Sequence, residues 1–469
     1  MLSRQALRPL VFTACYALGL LAVARFVDLA VRSTYRYQII FNEGWNAYHS
    51  SSARAGVPLY RTRPEHTAVN YPPLSFHLVG ALSRLTGGDV NLTGRWVSLL
   101  SLLWVVVCSG GVARKISGDR LTGLLAGLLC GAWFVLFAPT YMGANEPQML
   151  GHALLMTGVL LYVARRDSTL GLAGACLLCC LGGFVKQSLL AFPLAIALDL
   201  LWRSPRRFLA WAATAAVTLA AFTALTVWVD GPWIAQHLFS PRGYSLDRAR
   251  SIVVTFGLLF LPALAACALW CREGIRRPSS SVIGLGFVLA FTTGSLLAGG
   301  SGVNLNVYFD TVIAMSIITA LVLRDLAQRS ALVAALAPVV FSATLLVPSR
   351  SSPIPPRPDL AETSRVFLDD VEYMKSKPGP AICLNLLLCH DAGKPLIFDP
   401  CTTNELMDAG RLDPNWMASA LKTQIFAVVQ LGEDPDFAST FPPNLVPALK
   451  ASYRVDRTGP TRVFYVPRM

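Results

Sequence analysis

Two acids, one amine and a group of amides lie at the breaks between long apolar runs. Glu43 follows Asn42 in IIFNEGWNAYHS, Glu146 follows Asn145 in TYMGANEPQML, Lys186 interrupts GGFVKQSLLAFP, and Asn304, Asn306 and Tyr308 lie in GGSGVNLNVYFD. A carboxylate beside a bound hydroxyl can take its proton, and a cation can steady a departing phosphate. Amides and phenols suit the hydroxyls of a sugar. Such a set fits transfer of a group from a lipid-borne phosphate to a hydroxyl. Each member also has a structural reading: a first-turn glutamate favours the helix dipole, a boundary lysine snorkels, and an asparagine caps a helix.

The elements around these residues are legible. Asn42 is a good N-cap, Glu43 falls in the first turn, Trp45, Tyr48 and Ser52 follow at helical spacing, and Gly56 and Pro58 end the pattern. This predicts a short helix with Glu43 at its tip. After Pro72 and Pro73, the run from Leu74 to Leu85 is partly amphipathic and suits the membrane surface. Glu43 and Glu146 fall in breaks on the same side, where they could share an acceptor or a divalent cation. The histidines form no metal pattern: His49 and His66 stand alone in the first loop, His77 is on the amphipathic run and His152 is inside an apolar run.

Composition sets the class. Of 469 residues 54% are hydrophobic and 14% charged, against about 25% charged in soluble domains. This is an integral membrane protein, and its net charge of +13 is a topology signal, with no nucleic-acid partner implied. Apolar runs lie near residues 9–30, 95–113, 121–138, 148–164, 168–184, 187–202, 208–229, 251–271, 282–299, 308–323 and 330–347, giving about eleven spans. Alternate loops carry the arginines: Arg114 and Arg120, Arg165 and Arg166, Arg203, Arg206 and Arg207, Arg272, Arg276 and Arg277, then Arg324 and Arg329. The positive-inside rule puts these and the N-terminus in the cytoplasm, and the Glu43 loop outside with everything after residue 348.

The expected layout is mainly α: a polytopic membrane domain over 1–348 with an outer loop at 31–94, a Pro/Ser-rich linker at 349–361, and a small extracytoplasmic α/β domain over 362–469. Helices are expected at 362–376 and 414–423, strands at 381–388, 395–398, 425–431 and 463–466. Cys383, Cys389 and Cys401 fall in this outer part, where one disulfide is plausible and three pairings are open.

In order and layout, the chain resembles the GT-C membrane glycosyltransferases, in particular the protein mannosyltransferase, aminoarabinose transferase and rhizobial core-sugar transferase group. The resemblance rests on Asn42-Glu43-Gly44 with Tyr48, the Gly56 to Tyr60 turn, Asn70-Tyr71-Pro72-Pro73-Leu74, Asn145-Glu146-Pro147-Gln148 and Lys186-Gln187-Ser188. It implies an inner-membrane enzyme that moves a sugar, with inversion, from a polyprenyl-phosphate donor to an extracytoplasmic glycan, lipid or protein acceptor. Relatives usually have aspartate where this chain has Asn42, so the base falls to Glu43 or Glu146. They often have a phosphate-binding lysine where Tyr71 stands, which leaves Lys186, with Arg61 of the YRTR segment, as phosphate ligands. Asn42, Tyr48, Asn70, Tyr71, Asn304, Asn306 and Tyr308 are the substrate-binding candidates. The rival readings are a lipid-linked sugar or solute transporter or flippase, and a non-catalytic scaffold. Charges clustered at the outer boundary, away from the bilayer midplane, count against transport.

Overall fold

The computed structural model describes residues 4–329, 357–413, 415–432, 441–459 and 462–468. The chain begins with α1 (Arg4–Arg32), then two short helices, α2 (Asn42–Arg54) and α3 (Leu74–Thr86). A bundle follows: α4 (Val90–Ser117), α5 (Arg120–Phe137), α6 (Gln148–Arg165), α7 (Thr169–Val185), α8 (Ala191–Arg203), α9 (Pro205–Asp230), the short α10 (Ile234–Leu238), α11 (Leu246–Gly274), α12 (Ser281–Leu297) and α13 (Phe309–Arg329). Among the described residues five helices are long and apolar enough to cross a membrane, consistent with a multi-pass membrane protein. The expected apolar runs up to residue 323 are helical, and residues 168–202 are two helices, α7 and α8, as a hairpin requires. The expected span at 330–347 and most of the 349–361 linker lie outside the described residues.

Local chemistry explains the boundaries. Asp89, Asp119 and Ser168 accept hydrogen bonds from Leu92 N, Thr122 N and Gly171 N, so each caps the helix that follows it. Small residues let backbones meet: a Cβ on Gly110 of α4 would lie 2.8 Å from the Gly123 carbonyl oxygen of α5, the close approach that replaces hydrophobic driving force between helices in lipid. Pro262 kinks α11, and Phe260 leaves helical geometry there. On α9 the apolar Leu209, Val217, Leu225 and Trp228 are exposed, a face that suits lipid rather than water.

The C-terminal region holds α14 (Arg357–Lys375), α15 (Leu386–Asp391), α16 (Thr402–Asp408), α17 (Asn415–Lys422) and α18 (Val446–Ser452) around a four-stranded sheet. Strands β1 (Ala381–Cys383), β2 (Val428–Leu431), β3 (Tyr453–Gly459) and β4 (Arg462–Pro467) take the order β1-β2-β4-β3. The β1/β2 pair is parallel and the others antiparallel. Two expected strands differ: 381–388 is strand only to Cys383 before α15 begins, and 395–398 is not a strand. Asn385 caps α15 by accepting from Leu388 N, which turns an apolar run into a helix. Of the three open pairings, Cys383–Cys389 is formed and Cys401 is free.

This region docks on the first loop. Gly44 of α2 meets α15 so closely that a Cβ there would lie 2.1 Å from Leu387 N. Tyr48 donates its hydroxyl to the Lys394 carbonyl oxygen at 2.7 Å, and Ser51 Oγ lies 2.8 Å from His390 Nε2.

Candidate active site

Glu43 is fully buried and committed. Its Oε1 accepts from Arg95 Nε at 2.6 Å and Asn145 N at 2.9 Å; its Oε2 accepts from Arg95 Nη2 at 2.7 Å and Ile39 N at 2.6 Å. A carboxylate has about four lone-pair sites, and all are used. Arg95, with an unexposed side chain, also donates to the carbonyls of Tyr35 and Tyr37. Glu43 thus fixes α4, the entry to α2 and the Glu146 loop, and has no open site for a substrate proton.

Glu146 differs. Asn42 Nδ2 donates to Oε2 at 3.0 Å, and Lys186 Nζ stands 3.5 Å from Oε1. Each oxygen keeps accepting capacity. Asn42 is not an N-cap: it lies in the first turn of α2, behind Phe41, and its side chain serves Glu146. The acid itself is placed by Asn145, whose amide is held by Glu43 and whose carbonyl accepts from Asn46 Nδ2 at 2.7 Å.

Lys186 ends α7 in an extended conformation. Nζ donates to Gln148 Oε1 at 2.8 Å and lies 5.0 Å from the centre of the Tyr71 ring. Gln148 Oε1 also accepts from Asn306 Nδ2 at 2.8 Å, and Gln148 Nε2 donates to the Asn306 carbonyl oxygen at 2.7 Å. Lys186, Glu146, Asn306 and the pair Asn42 and Tyr71 are therefore drawn from four breaks in the chain into one network.

Asn42, Asn70 and Tyr71 line a narrow cavity with Trp45, Arg242, Asp399 and Glu405. Burial raises the Asp399, Glu405 and Tyr71 pKa values, and the charge of Arg242 opposes it in all three. Arg242 is exposed and, among the described residues, makes no hydrogen bond or ion pair. Cation, phenol and amides share this opening beside Glu146, an arrangement able to bind a phosphate and take a proton.

Other candidates lie elsewhere. Arg61 is exposed with no hydrogen bond or ion pair among the described residues, so the second cation at the cavity is Arg242. Tyr48 holds the C-terminal region, Asn304 caps a turn by accepting from Leu305 N, and Tyr308 is buried with its ring stacked on Phe256. Among the described residues no three His, Cys, Asp or Glu side chains gather to hold a metal, and saturated Glu43 offers Glu146 no partner for a shared divalent cation. Sequence reasoning passed over Arg95, Arg242, Asp399 and Glu405. A signal existed for Arg242: it is a basic residue in a loop that the arginine alternation places outside.

No protein-family model and no curated protein matches the sequence. The structure, however, has the fold of the GT-C type glycosyltransferases, as the motif resemblance implied. It is similar to ArnT from Cupriavidus metallidurans, solved bound to undecaprenyl phosphate, with a TM-score of 0.62, 15% identity and 97% of each chain covered. It is also similar to the Archaeoglobus fulgidus oligosaccharyltransferase in the apo form, with a TM-score of 0.57, 11% identity, and coverage of 94% of this chain and 72% of that one. AglB of the same organism, in complex with an inhibitory peptide and a dolichol-phosphate, gives a TM-score of 0.52 at 12% identity, covering 97% of this chain and 74% of that one. At these identities the likeness is one of fold.

Proposed function

We propose that the protein is a glycosyltransferase that moves a sugar from a polyprenyl-phosphate carrier to a hydroxyl of an extracytoplasmic acceptor, with inversion at the anomeric carbon. The carrying observation is the placement of the Glu146–Lys186 pair beside the Asn70, Tyr71 and Arg242 opening. The fold shared with ArnT, solved with undecaprenyl phosphate, supports the choice of carrier. In this reading Glu146 takes the proton of the acceptor hydroxyl as its oxygen attacks the anomeric carbon. The bond to phosphate oxygen breaks with its electron pair, and Lys186 and Arg242 neutralise the charge that develops there. Asn42 orients Glu146 and cannot itself accept the proton. Glu43 acts through Asn145 and Arg95 as a positioning residue.

The test is mass spectrometry of lipids and envelope glycans from cells with the protein, without it, and with Glu146→Gln. A polyprenyl-phosphate sugar should accumulate and one glycan lose a residue in both defective strains. Unchanged profiles in both, with redundant transferases deleted, reject transfer in favour of transport or scaffolding.

A further inference from the structure

A second and larger cavity, of about 470 Å³, opens between α2, the segment 58–69, α10 and the C-terminal region. His49, Arg63, Glu65, His66, His237 and Trp416 are among its walls, and none has a part in the chemistry above.

Its walls are of unlike kinds. His237 is fully engaged: Nδ1 accepts from Val69 N at 2.9 Å, and Nε2 lies 2.9 Å from the Thr62 carbonyl oxygen. It is fixed wall. His49 is wall of another kind: its Nε2 is buried without a hydrogen-bond partner, and the residue is 7% exposed. A buried polar atom left unpaired is costly, about 1–3 kcal/mol, and here it belongs to a residue that lines an open cavity. The imidazole is neutral at ordinary pH, because burial pushes it down to about 3. Nε2 itself is closed off, so His49 contributes a neutral ring to the wall and no open hydrogen-bonding site.

On another wall the rings of His66 and Trp416 lie 4.1 Å apart, both half-buried, and form an aromatic surface. Exposed Arg63 and Glu65 stand at the rim, a donor fork and an acceptor pair. An aromatic face for C–H groups, with polar groups of both kinds around it, is chemistry suited to a sugar ring. The position fits too. Trp45 packs edge-on against both His49, at 4.3 Å, and Tyr71, at 5.2 Å, so one indole links a wall of this cavity to the Tyr71–Lys186 opening. The rest of the partition is the segment 66–71, held by Thr403 Oγ1 donating to the His66 carbonyl oxygen and by Ala68 N donating to Thr402 Oγ1.

We propose that this cavity binds a saccharide portion of the acceptor, with a sugar ring against Trp416 and His66 and its hydroxyls toward Arg63 and Glu65 at the rim. The inference rests on the transferase reading and names the class of its acceptor. It also gives the docked C-terminal region a role, since Leu396, Ile397 and Trp416 supply part of the cavity's lining.

The test uses the purified full chain in nanodiscs with a panel of methyl glycosides of hexopyranoses, hexosamines and pentofuranoses, followed by saturation-transfer NMR. Undecaprenyl phosphate binding is measured in parallel by native mass spectrometry. At least one glycoside should saturate the wild type. Trp416→Ala and His66→Ala should each weaken it about tenfold or more, Trp416→Phe should retain it, and undecaprenyl phosphate binding should not change. Either substitution suffices where the other fails to fold. A panel that never saturates the wild type overturns the inference, as does saturation indifferent to both alanine variants. Loss of undecaprenyl phosphate binding in folded Trp416→Ala would instead give the cavity to the donor. The underlying reading has its own control: Lys186→Met should weaken undecaprenyl phosphate binding, and if it does not, the donor assignment fails whatever the glycosides do.

Discussion

Glu43 and Glu146 are both acids after an asparagine at a break in apolar sequence, and burial does not separate them, at 0% and 2% exposed. Their donors do: four strong donors fill Glu43, whereas Glu146 has one amide and one amine at 3.0 and 3.5 Å. Glu146→Gln should therefore keep the fold and lower kcat by about 10²–10⁴-fold, checked by turnover alongside an unchanged melting temperature. Glu43→Gln should behave as a stability variant, because it leaves Arg95 charged and buried without its partner, a loss of about 3–5 kcal/mol. A melting temperature equal to wild type would return Glu43 to the base assignment. His49 supplies a pH test. Unfolded, it takes a proton near its ordinary value of 6.5; folded, it resists protonation down to about 3. As pH falls through that window the unfolded chain binds the extra proton, so stability drops by up to about 1.4 kcal/mol per pH unit. His49→Phe should flatten that part of the melting profile below pH 6.5, and an unchanged slope would show that His49 does not titrate this way. The acids were legible from the chain, but their ranking was not. It depends on Arg95, 52 positions from Glu43, and a pairing that distant leaves no trace in local spacing.

At the scale of elements, membrane helices were the most readable part, because length and apolarity are properties of a contiguous segment. The short helices α2 and α3 were readable too, since Gly56 and Gly87 both take positive φ, where glycine is favoured, just after the helical pattern ends. The C-terminal region was less so. Its apolar run at 384–388 reads as strand or helix equally well, and the outcome was set by the Asn385 cap and by packing of Leu386 and Leu387 on α2. Strand β3 was missed because YRVDRTG buries little beyond Tyr453, which leaves no clean alternation to detect. The α2–α15 contact carries a prediction of its own. Gly44→Val forces atoms into the Leu387 backbone, an overpacking worth about 1–3 kcal/mol or more. Hydrogen exchange should rise in 42–54 and 386–391 together, while amides of α4 and α5 stay protected. Unchanged exchange in 386–391 would mean that the docking does not depend on this contact.

For the molecule as a whole, the arginine alternation makes a geometric demand: loops of one parity must gather at one end of the bundle. They do. At one end Arg203 pairs with Asp199, Arg207 with Asp167, and Arg166 and Arg203 donate to the carbonyls of Pro278 and Arg276. Asp119 feels the charge of Arg324 there as well. At the other end Arg32 donates to the carbonyls of Pro139 and Met142, Gln187 Nε2 to that of Asn70, Ser301 N to that of Gly243, and Arg36 N to Ser364 Oγ. The candidate site, the saccharide cavity and the C-terminal region all belong to this second end. The positive-inside rule assigns the arginine-rich end to the cytoplasm. In a Cys401→Ser background, which removes a half-buried thiol of the C-terminal region, Arg242→Cys should react with a membrane-impermeant maleimide in intact cells. Arg276→Cys should react only after permeabilisation. The reverse pattern would place the Glu146–Lys186 pair on the cytoplasmic face, where a donor presented from outside could not reach it, and the extracytoplasmic acceptor would fall with it.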